Sequence, residues 1–293
     1  MVGSPDEGDT STSGRPRPRQ SDGRGRAAAS RFGGVVAVLA VAVAAVWGLY
    51  QASAVEPSPT TLRIPALSVQ AADVSPGSVS PLSATLSPAS QPRTRPSGGA
   101  TTQGGSLNSW AVQTASVIGV PARALLAYGR AEIAMRQDFP ACRLSWATLA
   151  GIGRVESDHG RYGGAVLRAN GLPSEPIIGV PLDGSAGNKS ISDTDNGVLD
   201  GDTKMDRAVG PMQFIPTTWA SYAADGNGDG VANPQQIDDA TLAAARYLCA
   251  GGRDMATAEG WWAGLWSYNQ SVEYGQMVFG LADQYARTVN GRS

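Results

Sequence analysis

Glu156 stands in GRVESDHGRYG, at the end of a helical run in which Leu149 and Gly153 fall on the same side. An apolar seat and the negative end of a helix dipole both disfavour a carboxylate, so the position suits a carboxyl that keeps its proton near neutrality and serves as a general acid. Gly153, one turn earlier, leaves room beside it for a bound molecule. Downstream, Gly210-Pro211-Met212-Gln213-Phe214 and Ser267-Tyr268-Asn269 follow. The amides of Gln213 and Asn269 both donate and accept hydrogen bonds, which suits hydroxyl- and acetamido-rich ligands. Trp219, Trp261, Trp262, Trp266, Tyr268 and Tyr274 crowd the late helices. Most aromatics at helical spacing pack inward, so Tyr268 is the one expected beside the acid, with Trp266 and Tyr274 as further candidate stacking platforms.

Taken in order, Glu156-Ser157-x-x-Gly160, Gly210 to Phe214 and Ser267 to Asn269 resemble the lytic murein transglycosylases, specifically the membrane-bound type B group in its actinobacterial form. The resemblance runs from about Val120 to Tyr285. It implies a mostly α, lysozyme-like fold with a glycan cleft and Glu156 as the sole catalytic carboxylate. It also implies that Ser157, Gln213, Tyr268 and Asn269 hold the acid and the sugar. The implied substrate is the glycan strand of peptidoglycan, cut at the MurNAc-GlcNAc β-1,4 bond to leave a 1,6-anhydroMurNAc end during cell-wall remodelling. No cofactor is required for that chemistry. One carboxylate suffices because the substrate's own 6-hydroxyl attacks, whereas ordinary glycosidases use a second acid. A hydrolytic muramidase would need that second acid, and Asp206 is its nearest candidate. A third reading is a non-catalytic, calcium-dependent module that binds peptidoglycan.

Asp225-Gly-Asn227-Gly-Asp229-Gly230 matches the start of a calcium loop, with oxygen ligands at its first, third and fifth positions and glycine at its sixth. The seventh position offers the Val231 carbonyl. The twelfth is Gln236 where a bidentate Glu would close the sphere, so any calcium is structural and weak. Asp238 is an alternative closing ligand if the loop folds differently. His159 is the only histidine, too isolated for a triad or a zinc site, and reads as a polar residue ending the Glu156 helix. Cys142 and Cys249, an even count in a segment expected to be exported, are expected to form a disulfide.

The elements that must position these groups read as helices joined by loops, with no alternating strand runs. Pro121 suits a first helical turn, Ser145 can cap WATLAGIGRVES, and helices resume with PTTWASYAAD, DDATLAAARYLC, EGWWAGLWSYNQ and VEYGQMVFGLADQYARTV. Gly163 to Arg207, rich in Gly and Asp, reads as loop or lid, and its acids Asp193, Asp195, Asp200 and Asp202 have no assigned role.

Ahead of this domain, placed at residues 106–293, lie three segments. Residues 1–31 are too polar to bury a core and read as a disordered cytoplasmic tail. Residues 32–50 form an uncharged apolar run of bilayer-spanning length, preceded by Arg15, Arg17, Arg19, Arg24, Arg26 and Arg31. That asymmetry predicts a signal-anchor in the cytoplasmic membrane with the remainder outside, in the cell envelope. Ala52-Ser53-Ala54 also fits a cleavage site, which would make the protein secreted. Residues 51–105, rich in Pro, Ser and Thr, read as a disordered linker. The domain from Ser106 to Ser293 carries 14 basic and 19 acidic residues, and ten of those acids lie between Asp183 and Asp239, a stretch with only Lys189, Lys204 and Arg207 as basic residues. Such a balance argues against nucleic acid and favours a local cation.

Overall fold

The computed structural model describes residues 69–81, 86, 103–185 and 189–291. The expected tail and membrane span, residues 1–31 and 32–50, lie outside the described residues. Among the described residues no helix is long and apolar enough to cross a membrane.

The fold is mostly helical, as the sequence pattern indicates. Among the described residues seven α-helices follow in order: α1 (Gln103–Ile118), α2 (Ala122–Asp138), α3 (Trp146–Ser157), α4 (Pro216–Tyr222), α5 (Ile237–Cys249), α6 (Ala258–Tyr268) and α7 (Val272–Asn290). Pro121 stands immediately before α2. Ser145 caps α3 by accepting the Ala147 N–H at 3.1 Å. Gln236, Thr257 and Ser271 cap α5, α6 and α7 in the same way.

Helix α3 is the core element. Ten of its twelve residues are buried, the pattern of a helix enclosed on all sides rather than one lying on a surface. It packs chiefly on α7, and α2 packs on α5. Gly151 makes the first contact possible, because a Cβ there would lie 2.9 Å from the Val278 carbonyl oxygen. Trp261 of α6 donates its indole N–H to Thr148 at 3.2 Å, tying a third helix to the same core.

Three features depart from the sequence expectations. The Gly- and Asp-rich stretch is framed by a short antiparallel pair, β1 (Ile178–Pro181) with β2 (Arg207–Val209). Four- and three-residue strands are too short to show an alternating pattern. Helix α1 begins inside the expected linker, at Gln103. The linker's residues 69–81 also lie along the domain. The Ala72 N–H donates to the Gln276 carbonyl at 3.2 Å, Gln276 Nε2 to the Val74 carbonyl at 2.8 Å, and the Trp262 indole to the Ser78 carbonyl at 3.2 Å. Leu86 is buried, and its N–H donates to Glu132 at 2.9 Å. Composition says only that this segment is poor in residues that build a core. It does not say whether a finished surface will supply partners for its backbone.

Candidate active site

The three sequence motifs meet at the C-terminal end of α3. Ser157 is completely buried; its hydroxyl donates to the Pro211 carbonyl at 2.6 Å and accepts the Gly160 N–H at 2.8 Å. Pro211 belongs to the turn that follows β2. That turn is closed by mutual backbone bonds between Val209 and Phe214, at 2.9 and 3.0 Å, with Gln213 in the left-handed region at φ +49°. From the other side the Tyr268 hydroxyl donates to the Met212 carbonyl at 2.7 Å. Adjacent carbonyls of one strip are therefore held by two different helices.

Glu156 precedes Ser157 and is reached from α7, where the Tyr274 hydroxyl donates to its Oε1 at 2.6 Å. The Tyr274 ring stacks on Tyr268 with centroids 6.4 Å apart and planes 7° off parallel, and Phe214 meets Tyr268 edge-on at 6.0 Å. Burial among these rings raises the Glu156 carboxyl to about 7, and the Tyr274 hydrogen bond opposes that rise. Burial, followed by the nearby Glu156 charge, pushes both phenols well above their usual value, so they stay protonated donors.

The expected sugar contacts fare unevenly. Ser157 cannot face a ligand, because both of its hydrogen bonds go to the protein; it positions the Gly210 to Phe214 strip. Gln213 spends its amide nitrogen on the Gly210 carbonyl at 3.0 Å and keeps its oxygen. Tyr268 uses its hydroxyl on Met212 and offers its ring. Asn269 is exposed at the end of α6, its carbonyl accepting the Ser271 N–H at 2.8 Å, so its amide is the freest of the set. The space beside Gly153 holds the Tyr128 hydroxyl, which would lie 2.1 Å from a Cβ at that position, and not a ligand.

Tyr274, a candidate stacking platform by sequence, is a hydrogen-bond donor to Glu156, a role that the chain alone does not reveal. It lies beyond a helix break, where periodicity carries no phase from Tyr268. Trp266 is 51% exposed, while Trp261 is buried. Asp206 is buried; its carboxylate accepts the Thr194 N–H and hydroxyl at 2.8 and 2.7 Å. One oxygen each from Asp193, Asp195 and Asp206 lie within 4.8 Å of one another.

In the Gly-Asp loop, Asp225 accepts the N–H groups of Gly228 and Gly230 at 2.7 Å each, and the Asn227 amide donates to Asp229 at 2.9 Å. Val231 is exposed, its N–H donating to Asp229 at 2.9 Å. Gln236 is turned away from this loop. Its oxygen caps α5 at the Asp238 N–H and its amide nitrogen donates to the Asn170 carbonyl at 2.8 Å. Asp238 is held by Arg123 and Arg130. The acid that secures the loop is Asp239, which accepts the N–H groups of Gly226, Asn227 and Asn233. The expected bridge is present between Cys142 and Cys249, with Cα atoms 5.5 Å apart.

Residues 204–263 match the family described as Transglycosylase SLT domain. The matched segment takes in β2, the Gly210 to Phe214 strip, the Gly-Asp loop and most of α6, and leaves Glu156, Tyr268 and Tyr274 outside. No curated protein matches the chain. Among solved structures, the chain is similar to the Escherichia coli lytic transglycosylase Slt35 in complex with bulgecin A, at 14% identity and a TM-score of 0.36, over 62% of this chain and 79% of that one. A likeness of that size is too slight to argue from.

Proposed function

We propose that the protein is a peptidoglycan lytic transglycosylase of lysozyme-like fold that cuts the MurNAc-GlcNAc bond and closes a 1,6-anhydroMurNAc end, with Glu156 as its one acid and base. The observation that carries this reading is geometric: the three motifs meet around a single carboxyl, Glu156, which accepts the Tyr274 hydroxyl at 2.6 Å beside the Tyr268–Tyr274 stack, where burial pushes its pKa up to about 7. The transglycosylase match over residues 204–263 supports it. Protonated Glu156 gives its proton to the glycosidic oxygen as the bond to the muramoyl C1 breaks. The carboxylate then takes the proton of the 6-hydroxyl as that oxygen bonds to C1. Glu156 ends as it began and no water is consumed. Tyr274 donates to the carboxylate at the stage when charge has to be held. The anchor in the cytoplasmic membrane through residues 32–50, the extracytoplasmic location and the type B assignment belong to the same proposal.

The hydrolytic alternative would need a second acid; Asp206, its candidate in the sequence, accepts the Thr194 N–H and hydroxyl. Digestion of purified sacculi by the full chain, followed by mass spectrometry of the fragments, tests the reading. Products lighter by one water than reducing-end muropeptides are expected, and reducing ends alone would overturn it.

The pH dependence follows from the same carboxyl. Glu156 must be protonated to start the reaction, so turnover should fall as pH rises through about 7. Tyr274→Phe removes an influence that lowers this value, so the alkaline limb should move upward by up to about one to two units. Turnover at the optimum should drop by roughly 10–100-fold, because the carboxylate loses its donor. Profiles of kcat against pH decide; a limb that stays put in Tyr274→Phe removes the phenol from the account.

Calcium is proposed as structural. Asp225, Asn227 and Asp229 provide the hard oxygens such a cation takes, while Gln236, occupied as a cap, does not close the sphere. Affinity should sit in the weak range of roughly 10⁻⁴–10⁻³ M. Each tenfold excess over the dissociation constant should then add about 1.4 kcal/mol. Melting temperature should rise with millimolar calcium, and Asp225→Ala with Asp229→Ala should abolish that rise. Equal melting with calcium and with chelator would refute it.

A further inference from the structure

Asp158 and His159, the residues directly after Ser157, both adopt left-handed backbone, with φ +50° and +60°, though neither is glycine. L residues disfavour this conformation, and Asp and His tolerate it better than most. The reversal ends α3: the Asp158 N–H donates to the Arg154 carbonyl at 3.2 Å and the His159 N–H to the Gly153 carbonyl at 2.8 Å. It also turns the imidazole inward, where it is 1% exposed.

There, His159 Nδ1 lies 3.0 Å from the Tyr128 hydroxyl of α2. The same hydroxyl occupies the notch that Gly153 leaves open. One phenol therefore touches the residues three before and three after Glu156. Around the imidazole stand the Tyr128 ring from α2 at 5.9 Å and the Tyr285 ring from α7 at 6.4 Å, with Arg154 and Arg161 acting from its own segment. Asp158, of the same segment, pairs with both arginines. Burial, aided by the two arginines, keeps the imidazole neutral. A neutral ring bonds a neutral phenol without leaving a buried charge.

We propose that Tyr128 and His159 form a positioning pair for Glu156, a hydrogen bond made behind the cleft that fixes the reversal after α3 and thereby the approach of the carboxyl to Tyr274. The proposal rests on Glu156 being the reacting acid. Both side chains are buried away from any ligand, so their removal should act on turnover and on the titration of Glu156, and not on substrate affinity.

The test uses the full chain with Tyr128→Phe, His159→Leu and His159→Asn. Asparagine tolerates the left-handed backbone and returns a polar atom near Nδ1. Tyr128→Phe and His159→Leu should lower kcat by roughly 10–100-fold, because small misplacements of a reacting group are costly. KM should stay within about twofold, and the Glu156 midpoint, followed by carboxyl ¹³C NMR and assigned with Glu156→Gln, should leave its value near 7. His159→Asn should recover most of the rate. The proposal is overturned if folded Tyr128→Phe keeps the wild-type rate and midpoint, or if Asn does no better than Leu. Should His159→Leu fail to fold, Tyr128→Phe decides alone, since it deletes one oxygen and keeps the ring. A wild-type chain that cleaves no glycan would refute the transglycosylase reading and leave the NMR midpoint to judge the pair.

Discussion

If the proposed transglycosylase reaction holds, Glu156→Gln is expected to lower glycan turnover by at least about 10³-fold while leaving fold and glycan binding in place. General acid catalysis alone contributes about 10²–10⁴, and in the proposed reaction one residue serves in both proton transfers. Glutamine matches the shape of the acid and keeps an oxygen to accept the Tyr274 hydroxyl, so the ring stack of Tyr268 and Tyr274 has no reason to shift. It has no acidic proton to give and no carboxylate to receive one. The substitution also removes a half-buried ionisable group whose charged form burial disfavours, so the variant should melt no lower than wild type above pH 7. Fragment release from sacculi measures the first effect, co-sedimentation with sacculi the second. A variant that keeps a tenth of the wild-type rate would remove Glu156 from the centre of the reaction.

Much of this site was legible because its parts are local. Glu156 at a helix end, the Ser145 cap and the three ordered motifs each depend on a few consecutive residues, and the pairing of Cys142 with Cys249 needed only an even count. The contacts between motifs were not legible. Nothing near Gly153 announces that Tyr128, on another helix, fills its notch. Ser157 looks like a ligand residue in one dimension and proves to be a buried clasp on Pro211. Gln236 fits the twelfth position of a calcium loop by counting, yet a helix begins beside it and takes its side chain as a cap, leaving the loop to Asp239. The same limit explains the linker. Residues 69–81 bind through backbone groups, to which composition is blind.

The Cys142–Cys249 bridge should account for the largest stability change obtainable by substitution. It joins the turn after α2 to the last residue of α5 across a sequence separation of 107, and closure of so long a loop restricts the unfolded chain by at most about 4–5 kcal/mol. Domains of this kind are stable by only about 5–15 kcal/mol, so the bridge is a sizeable fraction of the whole. The native contacts around it persist without it: the Met255 N–H donates to the Cys142 carbonyl at 2.7 Å, and Arg143 pairs with Asp254 on the same side. Cys142→Ser with Cys249→Ser should therefore still fold but melt lower by roughly 8–20 °C. The side-chain hydrogen bonds and ring contacts of Glu156, Tyr268 and Tyr274 run to one another and to Met212, Phe214 and Tyr247, so turnover measured well below the melt should stay within about twofold of wild type. Melting curves of the oxidised protein and the double variant provide the comparison, with alkylation and intact mass to count thiols. Coincident melting curves would show that the bridge contributes nothing. A large loss of turnover in a fully folded variant would show instead that it holds α5, and through the Tyr247–Tyr268 contact of 5.7 Å the aromatic wall, in register with the acid.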